Sequence, residues 1–289
     1  MKQLFQIVCL LLLFPLAGYS QSLSVFSADF VPTRGKSEIG ASGDIQLAFP
    51  VLRRQTDQLV LAPRYQFLNL DDGFPFSEQR FYELSLNTVW RHTINESWSW
   101  VALIMPAFSS STDELSMNSF VWTSGLSFTR LQNRHFSYRL GVIYANRFKS
   151  NLIVPMLGFH WIPNDHFELN ADLPMRLRVQ WLVAGGLKMG LVASSNRQIS
   201  HVSGYADFDY LWFREQNLSW FTDLRMIRKW WLSCQAGYSF KRELKLYQKP
   251  EQATWEVGAN LTPSKVDPFF EYADEGFFLK VGIAYQLTR

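Results

Sequence analysis

The stretch Phe136-Ser137-Tyr138-Arg139-Leu140-Gly141-Val142-Ile143-Tyr144 decides the fold. Phe136, Tyr138, Leu140, Val142 and Tyr144 take alternate positions, with Ser137, Arg139 and Gly141 between them. Successive side chains of a β-strand point to opposite faces, so the segment has one greasy face and one small or polar face. A helix would repeat its apolar residues at a spacing near 3.6.

The same period runs outward in both directions. Upstream, Leu59, Leu61, Tyr65 and Phe67 alternate with polar residues that include Arg64 and Gln66. Tyr82, Leu84, Leu86 and Trp90 are interleaved with Glu83, Ser85, Asn87 and Arg91. Phe120, Trp122, Leu126 and Phe128 follow the rule too. Downstream come Ile153, Leu157, Phe159 and Trp161, then Phe208, Tyr210 and Trp212, then Leu218, Trp220, Leu224 and Met226. Trp230, Leu232, Ala236, Tyr238 and Phe240 precede a last set from Phe277 to Leu287.

In a soluble sandwich the greasy faces would meet in one core. Here that face is very aromatic, drawing on 24 Phe, 11 Trp and 11 Tyr. The other face is too polar for a second core and too rich in Gly and Ala for an ordinary wet surface. A membrane barrel accounts for both, with apolar residues toward lipid and small or polar ones toward the lumen. A charged content of only 18% does not fit a disordered chain. A mean hydropathy of −0.08 does not fit a bundle of membrane helices. The net charge of +3 gives no bias toward nucleic acid.

Several connections are short and polar: Asn95-Glu96, Gln132-Asn133-Arg134, Pro163-Asn164-Asp165 and Glu215-Gln216-Asn217. Others are longer: Leu70 to Gln79, Ser109 to Asn118 and Lys265 to Glu275. Short turns at one end and long loops at the other are the asymmetry of outer-membrane barrels. Trp90, Trp98, Trp161, Trp212, Trp220 and Trp230 flank the short turns and read as a periplasmic girdle, because indole favours the membrane–water boundary. The fold expected is an all-β, antiparallel transmembrane barrel of about 12–16 strands, with 14 favoured from about 10 residues per strand plus its connection. Phe167 to Gly186 is open to three readings, since Pro174 breaks the alternation there: a short hairpin, one kinked strand or a segment folded into the lumen.

Residues 1–20 carry a positive Lys2, an unbroken apolar run from Ile7 to Leu13 and the small residues Ala17, Gly18 and Ser20. That is the three-part pattern of a secretory signal peptide, leaving 21–289 as one barrel domain. Cys234 is then the one cysteine of the mature chain and cannot form an internal disulfide.

Lys280, Gly282, Tyr285 and Leu287 fill the pattern polar, Gly, aromatic, aliphatic near the C-terminus. This resembles the assembly signal that the barrel-assembly machinery reads in outer-membrane proteins, although here Thr288-Arg289 follow it. Pro155-Met156-Leu157-Gly158-Phe159, Leu173-Pro174 and Ala236-Gly237-Tyr238-Ser239-Phe240-Lys241-Arg242 resemble a family of uncharacterised Gram-negative outer-membrane barrels, classed as a domain of unknown function. The resemblance implies a fold and a bacterial outer-membrane location, and no activity.

The sharpest catalytic candidate is His201-Val202-Ser203, where two residues on one strand face would let the imidazole activate the hydroxyl, with Asp207 or Asp209 to orient it. Phase opposes this reading. If Phe208, Tyr210 and Trp212 face lipid, the His and Ser face the lumen, away from a membrane substrate. The five histidines lack metal-ligand spacing, and Glu271, Asp274 and Glu275 read as loop acids without the order of a calcium loop. No enzyme activity, cofactor or metal is expected.

The expected lumen-lining residues are Arg64, Glu83, Arg91, Arg139, Asp207, Asp209, Asp223, Arg225, Glu256 and Lys280, with Asp223 and Arg225 placed to pair locally. Both signs occur, so the lumen is either a weakly selective aqueous pore or closed by its own ion pairs. The leading expectation is a passive pore for small polar solutes. The alternative is a non-conducting structural or interaction barrel acting through its outer loops, and lipid hydrolysis comes third. Outer-membrane lipid and the assembly machinery are the expected partners.

Overall fold

The computed structural model describes residues 23–33, 37–71, 74, 80–111, 117–147, 150–202, 209–248, 254–258 and 267–287. The signal peptide, Ser203, Asp207 and Phe208 lie outside the described residues. The strands are β1 (Leu23–Thr33), β2 (Ser42–Leu47), β3 (Phe49–Arg53), β4 (Asp57–Asn69), β5 (Arg80–Thr93), β6 (Trp98–Ser110), β7 (Phe120–Asn133) and β8 (Phe136–Arg147). They continue as β9 (Ser150–Asn164), β10 (Phe167–Leu173), β11 (Arg176–Ala184), β12 (Leu187–His201), β13 (Tyr210–Arg225), β14 (Trp230–Tyr247), β15 (Thr254–Val257) and β16 (Phe270–Leu287).

They form a closed antiparallel barrel of 14 strands. β2 and β3 both pair with β4 and make one interrupted wall strand. β16 closes onto β1, and β9 onto β10. β15 stands outside this order and runs parallel to the start of β9. The strand number agrees with the count from sequence length.

The wall follows the period of two. Leu140 and Leu157 lie side by side on β8 and β9 and are exposed, while their neighbours Arg139 and Gly158 face inward. Leu84, Ile104, Phe128, Leu218, Leu232 and Val281 continue the exposed apolar belt around the barrel. A soluble monomer rarely shows more than a few hundred Å² of contiguous apolar surface, so this belt marks a membrane-facing wall. Aromatic rings ring one end. Trp161 meets Phe167 at 5.8 Å, Phe167 meets Trp181 at 5.7 Å, and Trp230 meets Tyr285 at 5.2 Å. Leu23 pairs with Leu287 at that same end, beside the short turns.

Phe167 to Gly186 is a short hairpin, β10–β11, with Pro174 in its turn. Three expectations are corrected. Glu215-Gln216-Asn217 is not a turn, because β13 runs through it and turns only after Arg225. Trp212 is no part of the girdle and Tyr210 does not face lipid, since both are buried at the opposite end of β13. Glu271, Asp274 and Glu275 are not loop acids but lie in β16.

The reason lies in the outer ends of β12, β13 and β14, which leave the wall and turn inward. β10 and β11 have 7 and 9 residues, whereas β9 and β12 have 15 each. Above the hairpin, among the described residues, no wall strand continues the pairing of β12 on the β11 side beyond Ser194. Its end meets β6 instead, which is not its neighbour around the barrel. His201 bridges to Ser110, and the hydroxyls of Ser109 and Ser200 are 3.1 Å apart. In β14, Phe240 is an extra residue relative to β13, since Asn217 pairs with Ser239 and Gln216 with Lys241. Such a bulge bends a strand and increases its twist.

The turned-in strands form a septum across the outer half of the lumen. On one face Leu211, Phe213, Leu244 and Leu246 pack against Ile39, Leu68, Leu70 and Phe81. On the other, Tyr210, Trp212 and Tyr247 pack against Ala107 and Val121 of β6 and β7. Leu211 and Trp212 are adjacent in sequence, point to opposite faces, and are both 0% exposed.

Candidate functional site

The candidate site is the divided lumen, and its two halves differ in chemistry. In the half nearer the short turns, ion pairs line the wall. Arg64 holds Asp44 through two hydrogen bonds, with Nε donating at 2.9 Å. The Lys280 ammonium lies 2.7 Å from Asp29, and Arg139 Nη1 donates to Asp172 Oδ1 at 2.9 Å. Arg178 Nη2 donates to Asp223 at 2.6 Å, and the same guanidinium lies 3.6 Å over the ring of Phe221. Lys188 sits 4.7 Å over Trp231, and His160 lies 2.9 Å from Glu168. Most of these groups are partly exposed, as hydrated charges on a wall would be.

Small residues make these reaches workable. Arg139, Gly158 and Asp172 sit in one row across β8, β9 and β10. A Cβ on Gly158 would lie 3.1 Å from both Arg139 Cβ and Asp172 Oδ1, so the ion pair spans β9 where no side chain intervenes. Gly282 does the same beneath Asp29, whose Oδ1 would be 2.0 Å from an added Cβ.

Of the residues expected in the lumen, Arg64, Arg139, Asp223 and Lys280 are found there in ion pairs, and Arg91 borders a recess with Arg139 and His160. Glu83 is buried on β5. Arg225 does not pair with Asp223. It is exposed beside the turn, and Asp223 takes Arg178 and Ser233 instead. Asp209 belongs to the septum: its N–H donates to the Tyr247 carbonyl at 2.9 Å. Glu256 is in β15, beside β9 rather than in the wall order. Asp207 lies outside the described residues.

His201 ends β12 at the septum tip, where its carbonyl accepts from the Ser111 N–H at 2.9 Å. Its expected hydroxyl partner, Ser203, lies outside the described residues. The four C-terminal signal positions all fall in β16. Lys280 and Gly282 meet Asp29, Tyr285 stacks edge-on to Trp230, and Leu287 pairs with Leu23. Cys234 is exposed on β14.

The sequence reading missed the centre of the septum. Arg242, 0% exposed, donates through Nε to Glu215 at 3.0 Å and through Nη1 to Asp274 at 3.0 Å. Tyr272 adds its hydroxyl to Asp274 at 3.1 Å. Arg214 stands on the other face, directly opposite Arg197. The available signal was Tyr210-Leu211-Trp212-Phe213, four large apolar residues in a row, which is how a strand buried on both faces reads.

Residues 65–286 match a family model described as "Domain of unknown function (DUF6268)". The chain belongs to this family. The matched span takes in the β10–β11 hairpin and every strand of the septum. No curated protein matches the sequence. Solved structures with a similar chain course include the NanC porin, 7% identical, with a TM-score of 0.40 over 91% of this chain and 100% of that one. LpxR from Salmonella typhimurium is 6% identical, with a TM-score of 0.37 over 90% of this chain and 99% of that one. The TodX monoaromatic hydrocarbon channel, in a deltaS2 mutant, is 8% identical, with a TM-score of 0.37 over 94% of this chain and 91% of that one.

Proposed function

We propose that this chain is a non-conducting barrel of the bacterial outer membrane, closed by its own septum and acting without catalysis. The belt of exposed apolar residues supports insertion in lipid, and closure of β16 onto β1 supports insertion by the barrel-assembly machinery. The single observation that carries the closed reading is the burial of Leu211 and Trp212 on opposite faces of β13. A strand in the wall of an open pore has one face on water. This one has both faces packed against other walls of the same barrel.

The partly hydrated ion pairs speak for water in the inner half of the lumen. At the septum both faces of β13 are packed with apolar side chains, which leaves small polar solutes no continuous route along the axis. Function then lies at the outer surface and in the space that the septum leaves.

Planar-bilayer recording of the refolded chain from Gln21 to Arg289 tests this. The expected result is a folded, heat-modifiable barrel that stays electrically silent. Stable stepwise currents from the unaltered chain would overturn the proposal. Replacing Leu211, Trp212 and Phe213 together by serine removes the packing of both faces, and is expected to convert silence into noisy, flickering conductance.

A further inference from the structure

The outward face of the barrel carries a cation at the edge of the apolar belt. Trp122, Leu126 and Phe128 of β7 are exposed in that belt, and Arg130 continues the same face one step nearer the short turns. Its strand neighbours on both sides are aromatic. Trp98 of β6 and Tyr138 of β8 lie directly opposite it. The guanidinium sits 5.3 Å over the Trp98 ring, and Nη1 donates to the Tyr138 hydroxyl at 3.5 Å. An arginine so placed rests its stem on apolar surface and keeps its head at the polar boundary.

No acid of the described chain pairs with this charge. Arg130 forms no ion pair among the described residues. Glu96, exposed in the β5–β6 turn, is two residues from Trp98 and forms no ion pair with it. Arg134, exposed in the β7–β8 turn, adds a second cation on the same hairpin. The groups beside Arg130 are donors. The Trp98 indole N–H and the Tyr138 O–H have no acceptor among the described residues. Trp98, Arg130 and Tyr138 therefore form one row of donors across three strands. Exposed Phe128 and Leu140, paired with each other, stand next above it in the belt.

We propose that this row binds the phosphate diester of a phospholipid in the periplasmic leaflet, which is the leaflet the short turns of such barrels border. A guanidinium matches phosphate oxygens with two parallel N–H donors. The indole and phenol flank it, and the acyl chains run up the belt over Phe128 and Leu140. A soluble anion has no chains to lay on the belt, and a neutral diacylglycerol has no charged acceptor for the row. The site lies on the lipid side of the wall, so its test reads separately from conductance.

The chain from Gln21 to Arg289 is refolded in dodecyl maltoside, which carries no phosphate, and titrated with dioctanoyl phosphatidylglycerol. The indole N–H signals are followed by NMR, and Trp98→Phe identifies the signal of Trp98. Expected on the unaltered chain is a saturable downfield shift of that signal, as for an N–H that gains a charged acceptor. Dioctanoylglycerol should leave it in place, and inorganic phosphate should not compete. Arg130→Gln should weaken the saturable shift by at least about tenfold, as for loss of a hydrogen bond to a charged group. Arg134→Gln removes only a nearby charge and should weaken it by no more than about fivefold. An unmoved Trp98 signal, an equal shift with dioctanoylglycerol, competition by inorganic phosphate, or unchanged affinity in Arg130→Gln would each overturn the proposal.

Discussion

β8 and the outer half of β13 are both strands of one barrel, yet they obey different rules. β8 alternates, with Tyr138, Leu140 and Val142 on one side and Arg139 and Gly141 on the other. Each of its residues sees either lipid or lumen. Tyr210-Leu211-Trp212-Phe213 does not alternate, and each of those residues sees protein. The difference teaches that periodicity reports which solvent lies on each face, not whether a segment is a strand. Where neither face has solvent, the pattern vanishes though the backbone pairing continues from Tyr210 to Arg225.

The comparison is broken most severely at Arg242. Arg242→Ala strands the carboxylates of Glu215 and Asp274 inside the septum, at an expected cost of about 3–5 kcal/mol. The heat-modifiable band on unboiled gels should disappear or need far less urea to lose. Next come the two faces of β13. Leu211→Ala and Trp212→Ala should each cost about 3–5 kcal/mol in urea titrations in vesicles, although they are neighbours in sequence. If only one of the pair is costly, the septum has a free face. On β8 the matching inward change, Ser137→Ala, should stay within about 0.5 kcal/mol. Gly158→Val places a side chain between Arg139 and Asp172, and is expected to cost about 1–3 kcal/mol by crowding. The hydrated wall pairs also contribute little. Arg64→Ala should change stability by at most about 1 kcal/mol, because water screens Asp44 once its partner is gone.

The wall was readable from sequence because lipid and lumen impose opposite demands on alternate residues. That fixed the strand class, the belt, most turns and four of the luminal charges. The septum was not readable by the same means. Glu215 and Asn217 look like turn residues because they are polar and adjacent to Gln216, and Arg242, 27 positions later, pairs with the buried acid. The bulge at Phe240 also shifts the phase of β14, so Tyr238 and Arg242, both at even positions, do not share a face. Asp223 was read with its near neighbour Arg225, whereas its partner Arg178 comes from β11, 45 positions away. Local spacing identifies candidate charges, and tertiary register decides which of them meet.

β15 carries a consequence for how such a chain is made. The low hairpin leaves two strand edges without wall partners, on β9 and on β12. β12 buries its edge against β6, but β9 waits for Thr254–Val257, more than 90 residues downstream. The seam between β1 and β16 is sealed by the same final quarter of the chain. Both seams thus stay open until the last segments dock. A nascent barrel shortened before β15 would carry two unpaired edges, each a template for a foreign strand. Both edges therefore depend on segments far along the chain from the strands they cover.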